Sequence, residues 1–124
     1  MKRLTYSQVL QMHSLLISEK GGIDGIRDET LLDSALNAPF QSFNGEDIYK
    51  TIPAKAARLG FSIIKNHPFI DGNKRTGILT MMVFLKINNI TIFSTDDEII
   101  ELGIGLADGS LNDKNLLNWI IEHS

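Results

Sequence analysis

Cysteine is absent from the 124-residue sequence. Disulfides, thiolate nucleophiles and Cys-ligated zinc are therefore excluded, and the composition fits a reducing cytosol, so a cytoplasmic location is expected. Long apolar runs are also missing. The longest, Ile78 to Ile87, falls far short of the ~20 residues of a membrane span and carries Thr80 and Lys86. The opening MKRLTYSQVLQMHSLL is too polar for a signal peptide, because Ser7, Gln8, Gln11 and His13 break up any apolar core, so export is not expected. There is no basic excess: 12 Lys+Arg stand against 15 Asp+Glu, a formal charge of −3. No bulk field captures nucleic acid or an anionic membrane, which leaves neither expected as a partner. What remains is 43% hydrophobic and 22% charged, the composition of one globular domain, residues 1–124, with a core that needs no staples.

The periodicity is helical. Thr5 and Gln8 have capping-box spacing ahead of Val9, Met12, Leu15 and Leu16, and Gly21-Gly22 ends that helix. Asp28 is an N-cap for a second, short helix closed by Pro39. The stretch from Pro39 to Gly45 lacks helical period and reads as an extended loop or small flap, whose Phe40 and Phe43 are expected to tuck beneath it, the alternative being that they stand exposed to hold a partner or ligand. A third helix from about Ile48 to Lys65, with Pro53 in or near its first turn, turns Ile52, Ala56, Leu59, Ile63 and Ile64 inward and Lys55, Arg58, Ser62 and Lys65 outward. A fourth, opened by Asn73 and running to Asn88 or Asn89, is apolar nearly all round, so it is expected at the centre. Ile90 to Phe93 is a candidate extended segment. Thr95 with Glu98 opens a fifth helix, and Asp113 to His123 forms a sixth. The fold class is all-α: a compact orthogonal six-helix bundle.

Between the third and fourth helices lies Asn66-His-Pro-Phe-Ile-Asp-Gly-Asn-Lys-Arg75. Pro68 is expected to end the helix and hold His67 extended, Gly72 to permit a tight turn, and Asn73 to cap the next helix. The free N–H groups of a helix N-terminus, with Lys74 and Arg75 in the first turn, form an anion site suited to phosphate. Two cations there oppose the helix dipole by a few tenths of a kcal/mol each, which a polyphosphate would offset. Asp71 is then a Mg²⁺ ligand, since that ion is usually held by one or two carboxylates plus substrate phosphates. Histidine takes and returns protons near neutral pH, which makes His67 the general-base candidate. Singly, each feature has an ordinary reading as a turn, a cap or a solvated charge. Six such residue types at fixed positions arise in a random window at a rate on the order of 10⁻⁸. His13 and His123 lack such neighbours and read as surface or partly packed residues.

The segment HPFIDGNKRTG resembles the signature of the Fic/Doc (Fido) superfamily, and its NKRT continuation looks most like the death-on-curing (Doc) toxin branch of toxin-antitoxin modules. GIRDETLLDSALNAP and the helix leading into IIKNHPF are similar too, so the likeness runs from Gly25 to Asn89. It implies a Fido-type bundle that transfers part of a nucleoside triphosphate, ATP or another, to a protein hydroxyl. His67 would deprotonate the hydroxyl, Phe69 would anchor the loop, Asp71 would bind Mg²⁺, and Gly72, Asn73, Lys74 and Arg75 would bind the phosphates. AMP-transferring Fic proteins carry Gly in place of Lys74 and Arg in place of Ile78; Lys74 fills the anion hole, and the clamp is missing. In Doc, the comparable arrangement goes with an inverted nucleotide and γ-phosphoryl transfer to elongation factor Tu, although Leu79 stands where the Doc sequence has Asn. The resemblance thus favours a kinase, with AMP transferase and a non-catalytic Fido interaction module as alternatives, and implies a cognate antitoxin acting in trans.

Overall fold

A computed structural model describes all residues, 1–124. Six helices follow in order: α1 (Tyr6–Lys20), α2 (Glu29–Asn37), α3 (Ile52–Asn66), α4 (Asn73–Ile87), α5 (Asp96–Asp108) and α6 (Asp113–His123). A 3₁₀ turn at Ala38–Phe40 and a two-stranded hairpin, β1 (Ser42–Phe43) with β2 (Glu46–Asp47), fill the gap between α2 and α3. The architecture is the all-α bundle with a small flap that the periodicity predicts. No helix is long and apolar enough to cross a membrane.

Local chemistry sets most helix starts. Thr5 and Thr95 each close a full capping box, with Gln8 and Glu98, and the Asp28 side chain accepts the Leu31 N–H at 3.1 Å. The hairpin turns on Asn44 and Gly45, both at positive φ (52° and 79°), the backbone of a tight two-residue loop.

Packing refines the placement of the helices and corrects three expectations. The helix most surrounded is α3, which touches α2, the 3₁₀ turn, α4, α5 and α6. α4 lies along it with as many buried residues, and its Leu79 and Met82 border a cleft. Gly60 and Gly77 let these two helices meet: a Cβ on Gly77 would stand 2.7 Å from Ile64 Cγ1 and 3.0 Å from Gly60 O. Lys55 and Ser62 are buried, not solvent-facing, because the hairpin and neighbouring helices cover that side. The Lys55 ammonium lies 3.1 Å from the Asp47 carboxylate and donates to the Tyr49 carbonyl. Of the two phenylalanines, only Phe40 tucks in, edge-on to Phe84 and beneath the Arg3 guanidinium; Phe43 on the hairpin is 72% exposed. Residues 90–93 form no strand.

Candidate active site

The segment between α3 and α4 is held by partners distant in sequence. His67 is the C-cap of α3 and adopts a left-handed conformation, φ 53° and ψ 51°, not the extended one that the following proline favours. Such a conformation costs a non-glycine residue about 1–3 kcal/mol and persists only where its surroundings over-determine it. Here they do. The His67 N–H bonds Ile63 O at 3.2 Å. Arg27 donates from Nε to His67 O at 2.7 Å and from Nη2 to Asn66 O at 3.0 Å. The backbone N–H groups of Arg27 and Asp28 both reach Pro68 O, at 2.7 and 3.0 Å, and an isolated antiparallel bridge pairs Ile26 with Phe69. The His67 side chain is exposed and lines the cleft.

Further along, Phe69 is fully buried, its ring stacked on His13 at 3.8 Å with planes 6° apart. His13, which lacks any local signal of a role, is itself 1% exposed. Its Nε2 lies 2.7 Å from Asp71 O and its Nδ1 3.3 Å from the Asp24 carboxylate. Asn73 does not cap α4: Gly72, at φ 78°, occupies the N-cap position. Asn73 is the first helical residue and turns back into the loop, accepting from Phe69 N–H at 2.8 Å and donating to Phe69 O at 2.9 Å. Its amide is thereby committed to holding the loop, and any phosphate contact falls to its backbone.

Three groups then face the cleft. The N–H groups of Asn73, Lys74 and Arg75 have no intrahelical acceptor, the first helical bond being Thr76 N–H to Gly72 O at 2.9 Å. Arg75 is steadied by donating to Gly21 O at 3.1 Å. The Asp71 carboxylate accepts Ile23 N–H at 3.2 Å on one oxygen and Gly72 N–H at 2.8 Å on the other. Gly22 is required beside it, since a Cβ there would stand 2.7 Å from Asp71 Oδ2. Two hydrogen bonds leave further acceptor positions on the carboxylate. No group of three or more His, Cys, Asp or Glu is arranged to hold a metal ion. A divalent cation at Asp71 would complete its shell with phosphate oxygens and water, which fits Mg²⁺.

The cleft has a volume of about 770 Å³. It is lined by the polar groups of Lys20, His67, Asp71, Asn73, Lys74 and Arg75 and by apolar side chains from α1, the loop, α4 and α5, among them Leu16, Ile70, Ile78, Leu79, Met82 and Ile99. Lys74 reaches across to α5: a Cβ on Gly103 would lie 3.1 Å from Lys74 Cδ, so the lysine stem rests against that helix.

A profile of the Fic/DOC family matches residues 3–85, two thirds of the sequence and the whole of the loop. The chain belongs to the Fic/Doc family. Toxin Doc of Mycolicibacterium smegmatis (strain ATCC 700084 / mc(2)155) is 39% identical over 77 residues, 62% of this chain and 59% of that protein. Protein kinase doc of Escherichia phage P1 is 25% identical over 112 residues, 90% of this chain and 87% of that protein. The chain thus covers somewhat under two thirds of the first relative's length and most of the second's. Within the Fic/Doc segment, sequence reasoning missed His13 and Arg27. Their partners lie 58 and 40 residues away, and the one available signal for Arg27 was its place in the GIRD stretch that resembles the family.

Proposed function

We propose that this Fic/Doc protein is a Doc-like toxin that transfers the γ-phosphoryl group of a nucleoside triphosphate to a protein hydroxyl. One observation carries the reading: the His67 imidazole, the Asp71 carboxylate, the Lys74 and Arg75 cations and the unpaired N–H groups of α4 all open onto one cleft. An exposed imidazole beside an anion site is suited to taking a proton from an incoming hydroxyl while charge collects on transferred oxygens. His67 accepts the proton of the acceptor hydroxyl, whose oxygen forms a bond to the γ-phosphorus. The bond from that phosphorus to the β,γ-bridging oxygen breaks, and the nucleoside diphosphate leaves with the electron pair. Arg75, the helix N–H groups and Lys74 neutralise the charge on the phosphates. Mg²⁺, held by Asp71, would supply further charge neutralisation when bound.

Lys74 favours γ-phosphoryl over AMP transfer. Its stem rests against Gly103 of α5, and the resemblance puts the distal phosphates of AMP-transferring proteins where their Gly replaces this lysine, which supports a nucleotide bound in the reverse sense. The 90% coverage by a relative named as a protein kinase supports it as well. The resemblance makes elongation factor Tu the first acceptor to try. A cognate antitoxin acting in trans is part of the proposal. The Ser/Thr-x-x-x-Glu-Gly/Asn pattern of self-inhibited Fic proteins is met in spacing alone at Ser42 to Glu46, in the hairpin, and at Ser94 to Glu98, at the start of α5; Asp47 and Ile99 follow them where the pattern has Gly or Asn.

The test is induced expression in bacteria of the wild type and of His67→Ala. The wild type should arrest growth, and the variant, losing ~10²–10⁴ in rate at unchanged stability, should not. Equal arrest by a folded His67→Ala chain refutes the general-base role.

A further inference from the structure

We infer that Arg27 is a positioning residue for His67, its guanidinium fixing the left-handed backbone that presents the imidazole to the cleft. The fork donates to two successive carbonyls, Asn66 O at 3.0 Å and His67 O at 2.7 Å. Those carbonyls belong to the two peptide planes that flank the His67 Cα. Fixing both planes relative to one rigid, planar group fixes the two dihedral angles between them, which are φ and ψ of His67.

The lock is needed because the default is elsewhere. A residue before proline is driven toward extended backbone, whereas His67 stands at φ 53° and ψ 51° before Pro68. Release would swing the Cβ of His67 to a new direction and carry the ring with it. The C-terminus of α3 also leaves carbonyls without helical partners and carries the negative end of the dipole, so a cation is favoured there. Arg27 holds no acidic partner; both of its side-chain bonds go to this backbone. Its own N–H meets Pro68 O at 2.7 Å, which seats the guanidinium beside the turn.

The catalytic consequence rests on the proposed function, but the conformational one does not, so the experiment reads both. Arg27→Ala removes the fork, and Arg27→Lys keeps the charge but presents a single ammonium that cannot span both carbonyls in fixed geometry. In both variants the His67 Cα and Cβ chemical shifts, measured by NMR, should move from left-handed toward extended values, with the rest of the spectrum preserved. For phosphoryl transfer, kcat should fall up to about 10²-fold, the scale expected for ~1 Å of misplacement. KM for the nucleotide should stay within about twofold, as for an interaction made only in the transition state. Guanidinium ion at non-denaturing concentration should partly restore kcat in Arg27→Ala and not in Arg27→Lys. Left-handed shifts retained in both variants overturn the inference, and so does full activity in a variant whose shifts have moved. A wild type with no transfer activity defeats the proposed function, while the shifts still decide whether Arg27 sets the backbone.

Discussion

Replacing Asn73 by Ala removes the side chain that ties the candidate catalytic loop to the start of α4. Phe69 is fully buried, and both its backbone N–H and its carbonyl are satisfied by the Asn73 amide, at 2.8 and 2.9 Å. Neither has another partner in the fold, and water has little access. Leaving a buried backbone group unpaired costs about 1–3 kcal/mol, so the pair contributes roughly 2–6 kcal/mol. Alanine is the better helix former by about 0.6 kcal/mol, which offsets a little of this. The net loss is then about 1.4–5.4 kcal/mol. With an unfolding entropy of about 2.1 cal/mol/K per residue, 124 residues give a fall in Tm of roughly 5–21 °C. The fold should survive, because the Ile26–Phe69 bridge and the Pro68 bonds still hold the loop. Thermal and denaturant unfolding measure the loss, and hydrogen exchange at the Phe69 amide localises it. A loss under about 1 kcal/mol with Phe69 exchange unchanged would refute the assignment of Asn73 as the loop's tie.

Two further outcomes follow from packing and charge. Gly77→Ala should destabilise by up to about 2 kcal/mol in denaturant titration, because overpacking costs ~1–3 kcal/mol against roughly 1 kcal/mol gained in helix propensity; a stabilised variant would mean that α3 and α4 separate freely. The clasp between α5 and α6 should make stability depend on pH at both ends of a window. The Trp119 carbonyl, then Glu98, raise His123 above its ordinary range, and the Thr95 N–H, then His123, hold Glu98 below its own. The histidine's contribution is full below its unfolded value and is lost as pH rises through the raised one, whereas the glutamate's is full above its unfolded value and is lost as pH falls through the lowered one. Stability should therefore be greatest between about pH 4.3 and 6.5 on account of this pair. His123→Gln should flatten the alkaline limb in urea titrations, and an unchanged profile would remove the clasp from the account.

How much of this was legible depended on the range of the interaction. The capping boxes at Thr5 and Thr95 and the cap at Asp28 are contacts over three residues, and they stood plainly in the sequence. The tight turn at Asn44-Gly45 was equally local. The left-handed backbone of His67 is not, because Pro68 argues for an extended residue and most of the contacts that hold it otherwise come from residues 26–28, about 40 positions away. His13 reads as an ordinary surface histidine until folding lays it on Phe69 and against Asp71 O. Lys55 looks outward by helical period, and only the Asp47 carboxylate and the Tyr49 carbonyl make its burial intelligible. Asn73 reads as a cap by residue type. Its amide instead serves the loop, a choice decided by Gly72 taking the cap position at φ 78°.

The most direct test of the central claim follows the fate of the two ends of ATP. Purified wild-type protein and His67→Ala are incubated with Mg²⁺ and ATP labelled at either the α- or the γ-phosphate, in a bacterial lysate and with isolated elongation factor Tu. The account predicts protein-bound label from the γ position alone, dependent on His67. Label from the α position would contradict the phosphoryl-transfer reading in favour of AMP transfer, and no His67-dependent label from either position would contradict catalysis at this cleft altogether.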